Sequence, residues 1–506
     1  MLFWQFLPTW PHLLRLVVMV STGTVPTAPS AAKATRPGAV IALLVVAAFV
    51  VILNETIMGV ALPELMRELD IAAATAQWLT TAFLLTMAVV IPTTGFLIQR
   101  FPLRALFFAA MGLFTLGTVI AAVAPGFGVL LIGRIVQASG TAIMIPLLFT
   151  TVLNVVPVHR RGRMMGLISI VISVAPAVGP TVSGLILSVF PWRAMFIVMI
   201  PIALVAIALG ARWVQNLTET RRVTLDVVSV VLSALAFGGL IFGLSSIGEA
   251  AGGHALVPIW IPLAVGAVAL AAFVARQLRL GATDRVLLNL AVFRHSTFTV
   301  AVVLVVVAMT TLFGVLILLP LYLQNVLGLG TLPTGLMLLP GGLLMGLMAP
   351  LVGTLFDRFG ARPLVLPGAV VAAVALWGFA TLSASTPIGF VIAVHCVLSL
   401  GLAFMFTPLM TSALGSLPPV LYPHGSAIVS TVQQLAGAAG TALFVTLMTV
   451  GAASAASEGS GIVEATAFGI HTAFFVAACL SLAVIVLAAF VRTSKPAEGV
   501  QGMPGH

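Results

Sequence analysis

Charge is what this chain has least of. Asp, Glu, Lys and Arg make up 7% of its 506 residues, against 61% hydrophobic, where a soluble domain carries roughly 25% charged residues. A soluble fold is thereby excluded. Apolar runs of about 20 residues, long enough to cross the hydrocarbon core as a helix, recur from one end of the chain to the other. The alternation that would mark barrel strands is missing. Cysteine is scarce too: Cys396 and Cys479 both lie in apolar runs, which argues against a disulfide framework, a cysteine metal site or redox chemistry. No GxxxxGK[ST] stretch occurs, so a P-loop is absent. Connections between the apolar runs never exceed about twenty residues, too few for a separate soluble domain.

What charge there is has a pattern. The net value of +10 would suit nucleic acid only if the basic residues clustered on a water-exposed domain, and they do not. Cutting the chain at charged or Gly/Pro-rich interruptions gives fourteen spans, near 39–62, 76–98, 104–124, 128–153, 164–189, 194–213, 226–247, 257–275, 297–322, 332–356, 363–383, 388–413, 426–450 and 469–491. Alternate connections hold nearly all the Lys and Arg, and the opposite set holds only Arg67 and Arg193. Cytoplasmic loops retain positive charge, so both termini are expected in the cytoplasm, with an arginine rim that meets anionic lipid heads. The first 36 residues lack the basic start and small-residue cleavage site of a signal peptide. Two prolines and His12 break their apolar part, so residues 1–37 read as a cytoplasmic tail, interfacial or arising from a start upstream of the true one at Met19.

The chain repeats itself. The stretch GFLIQRFPLRAL from Gly95 matches GTLFDRFGARPL from Gly353 at Gly, Leu, Arg, Phe, Arg and Leu. Both copies fall at a cytoplasmic junction, which implies two parallel six-helix halves, 38–213 and 296–492. Residues 214–295 are then an insertion of two helices with their linkers, and 493–506 a cytoplasmic tail.

Among the twelve acids, Glu55 alone lies deep in an apolar run, VILNETIMGVALP. It precedes Pro63 by eight residues, about 12 Å of helix, too far for a Glu side chain to reach the membrane surface. A carboxylate there must face the bundle or a water-filled cavity. Its adjacent Asn54 and Thr56 point elsewhere around the helix, as packing or hydrogen-bonding partners. Arg134 is the only basic residue well inside a span, and Gln137 lies nearly one turn on. A buried guanidinium needs a carboxylate, carbonyls or water. The alternative for both charged groups is a purely structural bond between helices.

The loop copy GTLFDRFGAR resembles the loop signature of the major facilitator superfamily, and twelve helices with two inserted resemble its fourteen-helix drug:proton antiporter branch. LNETIMGVALP is similar to that branch's first-helix motif, GRIVQASGTA to its fourth-helix motif, APAVGPTVSG to its fifth-helix antiporter motif, and HGSAIVSTVQQLAGAAGTAL to its thirteenth helix. The likeness covers about residues 38–492. It implies an all-α integral membrane fold that exports amphipathic, often cationic compounds in exchange for protons, with Arg134 in proton handling. Pro176, Gly179, Pro180 and Gly184 would form a kinked, tightly packed helix that favours exchange over uniport. The departures are Gln99 where the family has Asp, Pro102, Ala175 and Ser183 where it has Gly, and Asn54 where it has Asp, the acid being displaced to Glu55.

Gly95, Arg100, Arg104, Gly353, Asp357, Arg358, Gly360 and Arg362 are the expected gating-loop residues, with Asp357, Arg358 and Arg362 in a charge network. Arg160 and Arg161 are expected to anchor topology. Gln324, His395, Gln433 and Gln434 are candidates to line a cavity, and abundant Met and Phe would suit lipophilic cargo. The resemblance implies the bacterial plasma membrane and a monomer that needs no cofactor, the proton gradient being the energy source. Pairing with a periplasmic adaptor stays open. A same-fold carrier for a metabolite or lipid is the near alternative. An enzyme would need clustered catalytic groups, and a channel a charged or filter-like ring.

Overall fold

The computed structural model describes residues 37–71, 73–217, 220–247, 257–281, 285–383 and 385–491. The expected tails, with Lys33, Arg492 and Lys495, lie outside the described residues. Fourteen helices are long and apolar enough to cross a membrane: α1 (Pro37–Leu69), α2 (Ala73–Arg100), α3 (Leu103–Ala122), α4 (Phe127–Val155), α5 (Arg161–Leu187), α6 (Arg193–Trp213), α7 (Val227–Ser245), α8 (Trp260–Leu280), α9 (Ser296–Leu321), α10 (Thr331–Phe359), α11 (Arg362–Phe379), α12 (Ile388–Gly415), α13 (Tyr422–Ser457) and α14 (Ile462–Ala489). Each matches one expected span. In hydrocarbon every backbone N–H and C=O needs a partner within its own segment, so a chain this apolar has the helix as its open-ended solution.

Helices outrun spans at several ends. α1 continues to Leu69 rather than 62, while its apolar stretch is Gly38–Met58. The extra turns carry Glu64, which pairs with Arg67 at 2.5 Å, and Glu68, which pairs with Arg193 of α6. Charge ends an apolar slab, but it does not end a helix whose polar turns find partners. Where the chain does turn, the backbone requires it: Gly360 closes α10 at φ 80°, ψ −172°, a conformation essentially confined to glycine.

The two halves repeat their packing. α3 packs on α4 and α6, and α2 on α4; in the second half α11 packs on α12 and α14, and α10 on α12. Close approach is set by matched glycines. A Cβ on Gly140 would meet the Phe114 amide nitrogen at 2.6 Å, and one on Gly401 would meet the Ala372 nitrogen at 2.5 Å. Within each half the first helix is tied to the fifth in the same way: Thr56 Oγ1 donates to the Ala175 carbonyl at 3.3 Å, and Thr310 Oγ1 to the Ala436 carbonyl at 3.3 Å. Gly179 and Gly440, one turn further on, leave room for those two threonines. Between halves the seam is also made twice, α5 against α10 and α2 against α13. Those pairs interchange when the first six helices are exchanged with the last six.

The inserted helices pack on each other, and α7 lies along α2 and α13. Trp78 of α2 and Phe242 of α7 meet at 5.7 Å between ring centroids. Asp226 caps α7 by accepting from Ser229 N at 3.1 Å, and it receives Arg276 of α8 on both oxygens, at 2.7 and 2.8 Å. Gln277 Oε1 then accepts from the amides of Leu287 and Leu288, at 3.0 and 3.2 Å, which pins the linker leading to α9. The Arg276 guanidinium, with help from Ser229, holds the Asp226 carboxyl well below the usual carboxylate range.

Replacing Gly140 or Gly401 by Leu should therefore destabilise the detergent-solubilised protein by about 1–3 kcal/mol through overpacking. Gly112→Ala, where a Cβ meets nothing within 4 Å, should leave the melting temperature unchanged or slightly raised. Because Asp226 is depressed, its pair contributes fully above the free-carboxylate value near 3.9 and is lost as pH falls below it. Melting curves of wild type and Asp226→Asn should accordingly differ by a constant amount above about pH 5 and draw together only as pH falls below about 4, toward the depressed range of the paired carboxyl; a pH-independent difference would refute the pair's role.

Candidate functional site

Three consecutive residues of α1 point in three directions, as a 3.6-residue period requires. Asn54, 2% exposed, turns toward α4, and Thr56 reaches α5. Glu55 lies half-buried between them, and among the described residues no hydrogen bond or ion pair closes on its carboxylate.

Arg134 is 1% exposed. Its Nη1 donates to Gln137 Oε1 at 2.6 Å and to Asn54 Oδ1 at 3.3 Å. Its guanidinium carbon sits 4.1 Å from the centre of the Phe83 ring, within the range of a cation–π contact. Gln137 Nε2 donates onward to Thr118 Oγ1 at 2.8 Å. Nε of Arg134 keeps no partner. A positive charge is thus held in the protein interior by neutral dipoles and a ring face, within electrostatic reach of Glu55 but not neutralised by it. Phe83 and Thr118 belong to this network although nothing in the sequence distinguishes them from other apolar-span residues.

The arrangement suits exchange. A low-dielectric setting favours the neutral carboxyl and a nearby cation the charged one, so the state of Glu55 depends on what else enters the space beside it. Asn54 is explained by the same geometry: with the amide oxygen already engaged by Arg134, the acid stands one residue on, where it is free.

α5 carries Pro176, Gly179, Pro180 and Gly184 in one unbroken helix. Each proline removes an N–H and frees a carbonyl one turn back. At Gly179 any side chain would overlap Thr56, whereas at Gly184 a Cβ meets nothing within 4 Å. The close α1–α5 approach therefore depends on Gly179. Ala175 and Ser183 are fully buried, and Ser183 Oγ donates to Met195 Sδ of α6 at 3.3 Å, so both departures from glycine occupy real space.

The seam is latched at the arginine-rich end. Asp357 of α10 accepts the backbone N–H of Gly162 at 2.7 Å and of Arg163 at 2.9 Å, placing a carboxylate on the N-terminus of α5. Gly353 lets the two backbones meet there, since a Cβ would lie 2.8 Å from the Gly162 carbonyl carbon. The expected network of Asp357 with Arg358 and Arg362 is not formed: both arginines are exposed, and two helix N–H groups already occupy the carboxylate. Across the other seam Gln99 stands where Asp357 stands, and its Nε2 lies 3.1 Å from His424 Nε2 of α13. The substitution has a physical reason. The residue matching Gly162 is Pro423, which has no N–H to offer a carboxylate. Gly95 lets the linker approach, a Cβ there lying 3.2 Å from the Leu287 carbonyl oxygen.

Arg161 does more than anchor a loop. It donates to the carbonyls of Leu153 and Val156 at the end of α4, at 2.8 and 3.2 Å, and to Tyr422 Oη of α13 at 3.0 Å. Thr150 with Ser426, at 2.7 Å, and Thr407 donating to Ser169, at 2.9 Å, add further bonds between halves. Arg104 reaches the Ala211 carbonyl at 3.0 Å, and Arg100 is exposed.

The cavity candidates disperse. Gln433 and Gln434 of α13 are half-buried, donating to Met410 Sδ at 3.6 Å and Met87 Sδ at 3.4 Å. Gln324 sits in a π-helical turn, Tyr322–Val326, beyond the far end of α9. His395 is 7% exposed in α12, its Nε2 3.3 Å from the Leu338 carbonyl oxygen. Among the described residues no group of three or more His, Cys, Asp or Glu could hold a metal ion.

If the Asp357 latch holds the seam, Asp357→Asn should shift the equilibrium toward opening at that end by about tenfold, the scale of one charge-assisted bond at a helix terminus. Spin labels at the exposed positions Arg160 and Arg358 should report a longer distance in the variant; an unchanged distribution would remove the latch role.

Comparison with known proteins gives the family and the fold. A family model described as Major Facilitator Superfamily matches residues 44–441. A lincomycin resistance protein of Listeria monocytogenes is 41% identical over 465 residues, 91% of this chain and 98% of its own length. A multidrug resistance protein B homolog of Mycobacterium tuberculosis is 30% identical over 403 residues, 78% of this chain and 73% of its own length. Among solved structures, the human organic anion transporter MFSD10 aligns with a TM-score of 0.64 at 12% identity, over 90% of this chain and 99% of that one; at that identity the likeness is one of fold.

Proposed function

The chain belongs to the Major Facilitator Superfamily, and from that premise we propose that it is a proton-coupled antiporter that expels lipophilic, often cationic compounds by alternating access. It is a multi-pass protein of the bacterial plasma membrane. With the arginine-rich end cytoplasmic and both termini on that side, the seam latches close the pathway to the cytoplasm.

The observation that carries this reading is the free carboxylate of Glu55 beside a buried, uncompensated Arg134. In the exchange step, a cationic cargo arriving from the cytoplasm favours the ionised carboxylate, and its proton leaves. After the seam opens outward, a proton from outside takes the carboxylate and releases the cargo. Proton and cargo compete for the one carboxylate, so the binding of either expels the other. The close α1–α5 contact at Gly179 transmits the state of the Glu55 segment to the seam helix α5. The inward proton gradient supplies the work, about 1.4 kcal/mol per proton for each unit of pH difference.

The chain divides functionally at 38–213, 214–295 and 296–492, with the arginine rim on anionic lipid. The relatives are named for lincomycin and multidrug resistance, so lincomycin and ethidium are the first cargoes to test. We read the unit as a monomer, any periplasmic adaptor being additional to the exchange itself.

In proteoliposomes with an imposed pH gradient, wild type should expel ethidium, and Glu55→Gln should lose at least 90% of that flux while retaining its melting temperature. Normal pumping by the variant would make the carboxylate structural and move coupling to Arg134.

A further inference from the structure

The pseudo-symmetry of the halves assigns a partner to Arg134. On α3 and α11 the matched contacts at Phe114 and Ala372 lie 258 positions apart (372 − 114), and the glycines that meet them on α4 and α12 lie 261 apart (401 − 140). The same 261 carries Arg134 to His395 (395 − 134). The 258 that relates Gly95 to Gly353 (353 − 95) carries Phe83, the ring over Arg134, to Gly341 (341 − 83). Gly341 is the residue against the His395 ring: a Cβ there would overlap the imidazole and stand 2.7 Å from Ser399 Oγ. The residue pair at this station is thus an arginine under a phenyl ring in one half and a histidine against a glycine in the other, each seven residues into its helix.

The state of the ring follows from its contact. A carbonyl oxygen can only accept, so the bond to Leu338 fixes the hydrogen on Nε2. Nδ1 is left as a bare lone pair, buried and without a donor. An acceptor left unsatisfied in this way is destabilising, and it is the ring atom left open to take a hydrogen bond or a proton once water reaches it. No fixed charge competes for it. On the elements packed against α12, the titratable and charged side chains are Asp357 and Arg358 of α10, Arg362 of α11, Arg161 and Arg163 of α5, and Tyr422 and His424 of α13. All lie at the arginine-rich end, about 20 residues of helix, roughly 30 Å, from His395. Tyr322, after α9, spends its hydroxyl on the Ser383 carbonyl at 2.7 Å. Cys396 is adjacent on α12 itself.

We propose that His395 is a second proton-carrying site of the antiport cycle, the titratable counterpart in the C-terminal half of the fixed cation Arg134. Its Nδ1 takes a proton from the outer aqueous space when the two halves part outward, and yields it to the cytoplasm after the bundle reverses. No covalent bond changes. This rests on the antiport reading and adds a charge to it. With Glu55 alone, one proton exchanges for one monovalent cation and no net charge moves. With His395 also carrying, two protons enter for each cation, and one positive charge moves inward per cycle. The membrane potential then drives export even without a pH difference.

The test uses purified full-length protein in proteoliposomes, with the monovalent cation tetraphenylphosphonium as probe. Exchange is measured under a pH gradient alone and under a valinomycin-imposed potassium potential alone. Wild type should respond to both, and its reversal potential should give two protons per cation. His395→Gln, whose amide keeps a donor for Leu338, should retain at least half of the pH-driven flux and lose the potential-driven flux by tenfold or more. Potential-driven flux surviving in His395→Gln, or a wild-type ratio of one proton per cation, overturns the proposal and leaves the antiport reading intact. Wild type answering to neither gradient overturns the antiport reading itself. His395→Asn, carrying the same expectation, serves if the Gln variant does not fold, and the wild-type ratio decides by itself if neither does.

Discussion

A guanidinium held where no water reaches it is the most demanding group in this molecule, and much of the site follows from accommodating Arg134. Removing an ion from water costs several kcal/mol after relaxation, and the described neighbours that meet it are Asn54, Gln137 and Phe83. None of them is an anion. The charge is therefore stabilised enough to stay and not enough to be silent, and its field falls on the adjacent carboxylate. Had Asn54 been the acid, a closed ion pair would have formed and the proton would have had nowhere to go. With the acid at position 55, the group that holds the arginine is separate from the carboxylate to which exchange is assigned in the proposed cycle.

The second requirement is that two halves part and rejoin without exposing unpaired backbone. Glycine and small residues meet it by letting helix backbones touch, as at Gly353 against Gly162. Hydroxyl and amide bonds across the seam, from Thr150, Thr407 and Gln99, are directional but weak, so they register the closed state without locking it. The tight ties lie inside each half, Thr56 to α5 and Thr310 to α13. Each half can thus move as a body while the contacts between them change.

Much of this was legible in the sequence. Hydrocarbon thickness fixes span length, so all fourteen helices could be placed, and the Gly95 and Gly353 repeat disclosed the duplication. Helix ends were less legible, because α1 runs on through Glu64 to Leu69 by pairing charges that the sequence presents only as an interruption. Glu55 and Arg134 stood out because a charge in an apolar run has few innocent explanations. Phe83, Thr118 and Tyr422 did not, since their roles come from which helix faces them, and apolar periodicity says little about that in a bundle buried on nearly every side. Asp357 stood out as a candidate seam residue but not in its partner: sequence offers arginines one and five residues away (358 − 357, 362 − 357), and the structure offers backbone N–H groups nearly two hundred residues back.

Pro423 has one further effect. Lacking an N–H, it obliges the α2–α13 seam to close through the uncharged Gln99 side chain, while the α5–α10 seam closes through a carboxylate on a helix terminus. Counter-ions screen the second kind of contact and barely touch the first. The two seams consequently differ in their sensitivity to salt, so a rise in ionic strength weakens the α5–α10 contact before the α2–α13 one.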